Sequence, residues 1–168
     1  LMNRLTSQCQ NAFIKGRSIH DNFVYVQALA KTLRQKKIPA VMLKLDISKA
    51  FDSVSWEFLL NLMRFRGFSQ KWRDWISCLF LSSSTRILVN SCTTEQIMHR
   101  CGLRQGDPLS PLLFVLVMDC LGRLMDQAQE HAILSPIGNQ ITNHRASIYA
   151  DDVVTFSKPD NQDISSIA

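Results

Sequence analysis

Residues 146–157 read ASIYADDVVTFS, which is two β-prone runs joined by an acidic turn. This pattern predicts a β-hairpin with Asp151 and Asp152 at its tip. A third β-prone run, AVMLKLDI at residues 40–47, alternates polar and apolar side chains and has Asp46 near its end. Because such strands are mixed with helical stretches in no strict alternation, the sequence predicts an α+β fold with an antiparallel sheet packed on helices.

Four stretches have the apolar periodicity of helices: residues 18–37, 56–66, 70–81 and 111–128. Serines at the start of each are predicted N-caps, namely Ser18, Ser55, Ser69 and Ser110. The first helix has a predicted apolar face of Ile19, Phe23, Val26, Ala30 and Leu33. The third has one of Trp72, Trp75, Ile76, Leu79 and Phe80. Further hairpins are predicted for residues 85–90 with 94–100, and 133–137 with 140–142.

The three carboxylates of the strand ends stand out by their apolar surroundings. Asp151 and Asp152 are adjacent, so their charges repel each other unless a cation neutralises them. Carboxylate oxygens select Mg²⁺ or Mn²⁺ over softer metals, and two ions held by Asp46 and this pair suit displacement at phosphorus. The alternative is that an Asp-Asp turn is only a polar hairpin tip, and spacing along the chain does not establish that Asp46 lies beside it.

A second chemical cluster is GLRQGDPLSP at residues 102–111. Two glycines flank Arg104 and Gln105, and a predicted helix begins directly afterwards. Exposed backbone amides, a helix N-terminus and an arginine suit contact with a phosphate or a base. The alternative is a glycine-rich connector that ends in an N-cap.

Charge is unevenly distributed along the 168 residues, whose net charge is +5. Residues 1–40 contain seven basic side chains against Asp21 alone, whereas residues 41–168 contain 12 basic and 13 acidic side chains. The basic end is a footprint for a polyanion, or else a solvated helix face. The five cysteines form no CxxC pair, and the sequence has neither a signal peptide nor an apolar run that spans a bilayer. These features predict reduced thiols and an intracellular protein, nuclear or cytoplasmic.

Four segments together resemble reverse transcriptases, especially those of LINE-type (non-LTR) retrotransposons of the plant kind. They are QNAFIKGRS at 10–18, LKLDISKAFD at 43–52, GLRQGDPLSP at 102–111 and YADD at 149–152. A lone YADD is weak, but the four in this order are specific, and the resemblance covers residues 8–157. It implies a polymerase palm-and-fingers fold, in which residues 1–40 belong to the fingers and residues 41–168 mainly to the palm.

The resemblance also implies a role for each matching residue. Asp46, Asp151 and Asp152 would be the catalytic carboxylates and metal ligands, with the carbonyl of Ile47 on one of two Mg²⁺ or Mn²⁺ ions. The predicted nucleotide-binding residues are Lys49, Ala50, Phe51, Gln105 and Gly106, and Phe51 would be the steric gate against a ribose 2′-hydroxyl. Arg17 and Arg104 are the predicted phosphate or nucleic-acid contacts. Phe51 as plain core and Arg17 as part of the general basic patch are the alternatives.

By the same resemblance, the partners are an RNA template, a DNA primer and deoxynucleotides, without a membrane. The thumb and endonuclease regions of such a polyprotein lie outside this chain, so the chain alone is expected to be inactive. Three other interpretations stay open: a group II intron-type maturase, a catalytically silent remnant that binds nucleic acid, and an RNA-copying RNA polymerase. Phe51 and the YADD box disfavour the last.

Overall fold

The computed structural model describes residues 2–138 and 144–167. The helices along the chain are α1 (Met2–Leu5), α2 (Ile19–Gln35), α3 (Trp56–Phe65), α4 (Gln70–Leu81), α5 (Ser110–Glu130) and α6 (Asn161–Ile167). The strands are β1 (Val41–Asp46), β2 (Ser84–Thr85), β3 (Leu88–Val89), β4 (Cys92–Thr93), β5 (Ile97–Met98), β6 (Ala146–Tyr149) and β7 (Asp152–Ser157). None of the helices in the described ranges is long and apolar enough to cross a membrane.

The chain forms two compact units. The first comprises Leu1–Ser48 with Pro111–Ala168, and the second comprises Lys49–Ser110. The sheet of the first unit has the strand order β1-β7-β6, with both pairs antiparallel. This confirms the predicted α+β fold with an antiparallel sheet.

Long apolar side chains of α5 form much of the core of the first unit, including Phe114, Val115 and Met118. A second cluster joins Leu29 and Leu33 of α2 to Phe156 of β7. The α2 helix begins after Ser18 as predicted, and the Ser18 amide donates to Asp21 Oδ2 at 2.9 Å. Burial of these side chains is the main favourable term that fixes the sheet against its helices.

The buried face of α2 is rotated by part of a turn from the predicted apolar face. Phe23 is 67% exposed, whereas Asn22 is buried together with Leu29 and Leu33. The buried face therefore includes a polar residue that apolar periodicity ignores. Asn22 is tolerated there because it is hydrogen-bonded, as described below.

In the second unit α3 packs on α4, and both helices begin where predicted. The amides of Phe58 and Trp72 donate to Ser55 Oγ and Ser69 Oγ at 3.3 and 3.4 Å. Leu59, Met63, Ile76 and Phe80 are the buried contacts. The predicted face of α4 is too wide, because Trp72, Trp75 and Leu79 are exposed.

Three other expectations need correction. The hairpin of residues 85–100 consists of the two short ladders β2-β5 and β3-β4, turning at Asn90 and Ser91, whose φ angles are 49° and 65°. Residues 133–137 form bends and irregular backbone rather than a strand, and Leu134 and Ile137 are buried in the core. Their predicted partner, residues 140–142, lies outside the described residues. Ser110 is already helical, and Asp107 precedes it with its side chain on the Leu109 amide at 2.8 Å.

Candidate active site

The register of the sheet pairs two of the predicted carboxylates. Asp46, the last residue of β1, lies directly opposite Asp152, the first residue of β7. Directly opposed residues of an antiparallel pair point to the same face, with Cβ atoms about 4.5–5.5 Å apart. Asp151 belongs to the two-residue turn between β6 and β7, because Tyr149 pairs with Asp152.

A lysine partly neutralises this pair. Lys44 Nζ lies 3.1 Å from Asp152 Oδ1, and both side chains are well exposed. The hydrogen bond and charge of Asp152, together with the charge of Asp46, raise the pKa of Lys44. The neighbourhood of the two carboxylates therefore already attracts a cation.

The donor set of this pair fits a divalent ion. Two like charges directly opposite each other destabilise a sheet unless a cation lies between or beside them. Carboxylate oxygens and a backbone carbonyl, such as that of Ile47 directly after Asp46, are hard ligands suited to Mg²⁺ or Mn²⁺. Within residues 2–138 and 144–167, no group of three or more His, Cys, Asp or Glu side chains is arranged to hold a metal. The structure thus supplies two carboxylates on one face, and the third ligand role of Asp151 stays a prediction.

The Gln10 side chain forms a hydrogen bond to the acidic turn at Ala150. The backbone around it forms a parallel bridge with β6, in which the Ile148 amide donates to Cys9 O at 2.8 Å and the Asn11 amide donates to Ile148 O at 3.1 Å. The Gln10 side chain is fully buried, and its Oε1 accepts from the amides of Ala12 and Ala150 at 2.9 and 3.4 Å. Ala150 has a φ of 54°, a conformation that non-glycine residues rarely adopt without support. We infer that Gln10 stabilises the turn that carries Asp151.

Two asparagines extend this support to α2. Asn22 Nδ2 donates to Ser147 Oγ at 2.7 Å and to Ile148 O at 3.0 Å. Asn11 Nδ2 donates to Asn22 Oδ1 at 2.8 Å. Sequence reasoning missed these roles, although polar Asn22 among the apolar residues of a helix was an available signal.

Arg17 and Asp119 both form hydrogen bonds to the backbone of residues 7–10. Arg17 Nη1 donates to the carbonyls of Ser7 and Gln10, both at 2.5 Å. Asp119 is fully buried on α5 and accepts from the Ser7 amide at 2.6 Å and from Arg123 Nε at 2.7 Å. Burial alone would raise the pKa of Asp119, but these hydrogen bonds outweigh it and lower the pKa. The phosphate contact predicted for Arg17 stays a prediction beside this bracing role.

The predicted nucleotide-binding residues of the second unit come together in two hydrogen-bonded loops. The Leu103 amide donates to Phe51 O, and the Gly102 amide to Val54 O, both at 2.8 Å. Gly102 has a φ of 87°, and a Cβ there would lie 2.8 Å from Asp52 O. Only glycine allows this approach, which fixes the loop of residues 102–106 against residues 51–54.

Side chains at this junction line a cavity of about 560 Å³ that includes Asp52, His99 and Gln105. Gln105 Nε2 donates to Asp52 Oδ1 at 3.4 Å, and Gly106 turns the chain with a φ of 89°. Phe51 is half-buried, and its role as steric gate stays a prediction.

The remaining predicted residues of the second unit have mainly local partners. Arg104 Nε donates to Ser83 Oγ at 3.1 Å, at the end of α4. Ala50 is buried, and Lys49 is exposed with a φ of 52° and accepts from the Ser53 amide at 2.8 Å. The nucleotide-binding and phosphate-binding roles of these residues stay predictions.

A cavity of the first unit lies away from the carboxylates. It has a volume of about 700 Å³ and lies along α2 and β6, with Arg17, Tyr25, Leu29 and Ser147 in its lining. The chemistry of the paired carboxylates is the stronger indication of function.

Residues 1–167 match the family described as reverse transcriptase (RNA-dependent DNA polymerase). A retrovirus-related Pol polyprotein from a type-2 retrotransposable element of Drosophila melanogaster is 32% identical over 149 residues, which are 89% of this chain and 14% of that polyprotein. An uncharacterized mitochondrial protein of Arabidopsis thaliana is 38% identical over 69 residues, which are 39% of this chain and 55% of that protein.

Among solved structures, apo telomerase from Candida tropicalis, truncated from its C-terminal domain, matches with a TM-score of 0.65. The match covers 99% of this chain and 34% of the telomerase chain, at 12% sequence identity. At that identity the likeness shows the fold alone. The chain spans only about one seventh of the Drosophila polyprotein.

Proposed function

The chain belongs to the reverse transcriptase (RNA-dependent DNA polymerase) family, and we propose that it carries the nucleotidyl-transfer carboxylates of a retrotransposon enzyme that copies RNA into DNA. The observation that carries this proposal is the register of β1 and β7, which pairs Asp46 with Asp152 at the YADD turn. A polar hairpin tip without a catalytic role would not require a second carboxylate on the neighbouring strand.

The metal chemistry is assigned to the acidic strand ends. Asp46, Asp151 and Asp152, with the carbonyl of Ile47, would hold two Mg²⁺ or Mn²⁺ ions. When bound, such ions neutralise charge at the reacting phosphate and orient the attacking and leaving oxygens. The protein's own contribution is a rigid sheet edge, supported by Gln10, that holds these oxygen ligands on one face.

Nucleotide selection is assigned to the second unit. Phe51 excludes a ribose 2′-hydroxyl, and the amides of Lys49 and Ala50 contact the triphosphate. Gln105 and Gly106 contact the nucleotide or template, while Arg17 of the first unit and Arg104 contact phosphate. The half-burial of Phe51 and the hydrogen bonds of residues 102–103 to residues 51–54 support a shared role for these two loops.

The partners proposed are an RNA template, a DNA primer and deoxynucleotides, within the nucleus or cytoplasm. The basic excess of residues 1–40 supports a polyanionic partner. A plant LINE-type (non-LTR) element is proposed as the source, supported by the four motifs and by the similarity to the Arabidopsis protein.

The test is magnesium-dependent extension of a DNA primer on an RNA template. The polypeptide is the complete product of the gene that encodes this chain, with Asp46→Asn and Asp151→Asn as variants and Asp74→Asn, an exposed carboxylate of α4, as the matched control. Both site variants should lose extension while RNA binding is retained. Extension that survives Asp46→Asn would contradict the proposal, and equal loss in Asp74→Asn would trace the effect to folding.

The 168 residues alone are expected to extend the primer only marginally. Residues 41–168, which include the carboxylates, have no net positive charge to hold a duplex against salt. Robust extension by the 168 residues, lost in Asp46→Asn, would contradict this expectation and support the assignment of the site.

A further inference from the structure

The outer face of α4 exposes a stripe of large apolar side chains. Trp72, Trp75 and Leu79 are 36%, 52% and 50% exposed, although they lie on a helix whose Ile76 and Phe80 are buried. The two indole rings are in edge contact, with centroids 5.8 Å apart and planes at 67°. By contrast, Trp56 stacks on Phe80 at 5.1 Å inside the same unit. Trp72 and Trp75 therefore both present part of their rings to solvent.

Basic residues outnumber acidic ones near this stripe in the sequence. Residues 64–74, which run from the end of α3 into α4, contain four basic side chains against Asp74 alone. Lys71 Nζ lies 5.2 Å from the centroid of the Trp75 ring. Sequence reasoning missed this cluster, because it assigned both tryptophans to the core and measured charge only over long segments.

We propose that this face, defined by Trp72, Trp75 and the basic side chains of residues 64–73, binds single-stranded nucleic acid outside the carboxylate site. Exposed aromatic rings offer stacking surfaces to unpaired bases, and neighbouring cations contact the phosphates between them. The excess of basic over acidic side chains in residues 64–74 is complementary to the phosphates of a nucleic acid. The charge of this face therefore favours a polyanion over a second protein surface.

The test measures binding of a fluorescein-labelled single-stranded oligouridine to the 168-residue chain by fluorescence anisotropy. Divalent ions and nucleotides are left out, so the result does not depend on polymerase activity. Trp75→Leu keeps apolar area but removes the ring, and should weaken binding roughly tenfold, the loss of one stacked base. Trp75→Phe keeps a ring and should bind nearly as well as the parent. Lys71→Gln should reduce the slope of log affinity against log salt by about 0.7.

Phe23→Leu on α2 is the matched control, because it removes an exposed ring from the other basic region; Phe23 is 67% exposed and Trp75 is 52% exposed. Equal binding by the parent and Trp75→Leu, or equal loss in Phe23→Leu, would overturn the proposal. So would a dimer of the parent chain that Trp75→Leu dissociates without any change in oligouridine binding.

A second readout does not depend on the folding of Trp75→Leu. Oligouridine should quench the tryptophan fluorescence of the parent but not that of the Trp72→Phe/Trp75→Phe chain, in which only Trp56 emits. Quenching of equal size in both chains would overturn the proposal. Asp46→Asn should bind oligouridine like the parent, so failure of the polymerase assay and failure of this proposal remain distinguishable.

Discussion

At the scale of single residues, the turn that carries Asp151 depends on the buried side chain of Gln10. Gln10 Oε1 is the acceptor for the amides of Ala12 and Ala150, and Ala150 has a left-handed backbone. Removing an acceptor from buried donors leaves the full desolvation penalty of those donors. Gln10 therefore links the stability of the first unit to the geometry of the turn that carries Asp151.

Gln10→Met should lower the free energy of unfolding by about 1–3 kcal/mol, because two amides lose their acceptor while side-chain volume is nearly kept. Urea unfolding of the 168-residue chain measures the change. Gln8→Met is the matched control, since Gln8 is exposed two residues away. A Gln10→Met chain as stable as Gln8→Met would contradict the supporting role.

Phe51→Ala should raise incorporation of ribonucleotides relative to deoxynucleotides by the complete gene product, because it removes the ring proposed to exclude the 2′-hydroxyl. The cost in stability should lie below the about 3–5 kcal/mol typical of a fully buried ring, since Phe51 is half-buried. Phe51→Tyr keeps the ring and should keep sugar selection. Unchanged selectivity in a folded Phe51→Ala enzyme would show that another residue is the gate.

At the scale of elements, α5 approaches the segment before α2 and the strand β6 closely at one glycine. A Cβ on Gly122 would lie 2.5 Å from Cys9 Sγ and 3.4 Å from Ile148 Cδ1. Both neighbours are buried, so neither can move away easily. The glycine allows the helix to pack on the backbone that supports β6.

Gly122→Ala should therefore destabilise the chain by about 1–3 kcal/mol through overpacking, despite the helix propensity of alanine. Cys9→Ala in the same chain removes the sulfur and should restore part of the loss. The double-mutant cycle, measured by urea unfolding, should show a favourable coupling. Additive effects of the two substitutions would contradict the contact.

Asp119 makes the same interface sensitive to pH. Because its pKa is lowered in the folded chain, the ionised carboxylate contributes stability above its unfolded pKa of about 4. This contribution is lost as the pH falls through the lower folded value. Asp119→Asn should reduce stability by about 1–3 kcal/mol at pH 7, and the difference from the parent should shrink below pH ~4. Unfolding curves of the two chains from pH 7 to pH 2 check this, and a difference that does not change with pH would contradict it.

At the scale of the whole molecule, the sequence predicted the parts that follow from strong local patterns. The YADD hairpin, the strand that carries Asp46, and the four long helices were found by alternation, periodicity and caps. Contacts distant in sequence were not predictable in this way. The hydrogen bond between Asn22 and Ser147 joins residues 125 positions apart. Because the sequence does not reveal this bond, apolar periodicity placed Phe23, and not Asn22, on the buried face of α2. A predicted turn at Gly138-Asn139 led to the strand assigned to residues 133–137, but this segment forms no strand, and Leu134 and Ile137 pack into the core.

The site shows the same division. Strand ends suggested that Asp46 meets the acidic turn, and the register identified Asp152 as the residue opposite it. The support from Gln10 and the aromatic face of α4 depend on burial, which composition does not reveal. Trp72 and Trp75 satisfy helical periodicity as well as Ile76 does, so periodicity alone assigned all three to the core.

The most direct test of the account is whether Asp46 and Asp152 together bind a divalent ion. Calorimetric titration of the 168-residue chain with Mn²⁺ should show binding that Asp46→Asn and Asp152→Asn each weaken by about tenfold or more, the loss of one close charge interaction. Asp74→Asn, an exposed carboxylate of α4, is the matched control and should leave binding unchanged. Equal Mn²⁺ affinity in the parent, Asp46→Asn and Asp152→Asn would contradict the assignment of these strand ends as the metal site.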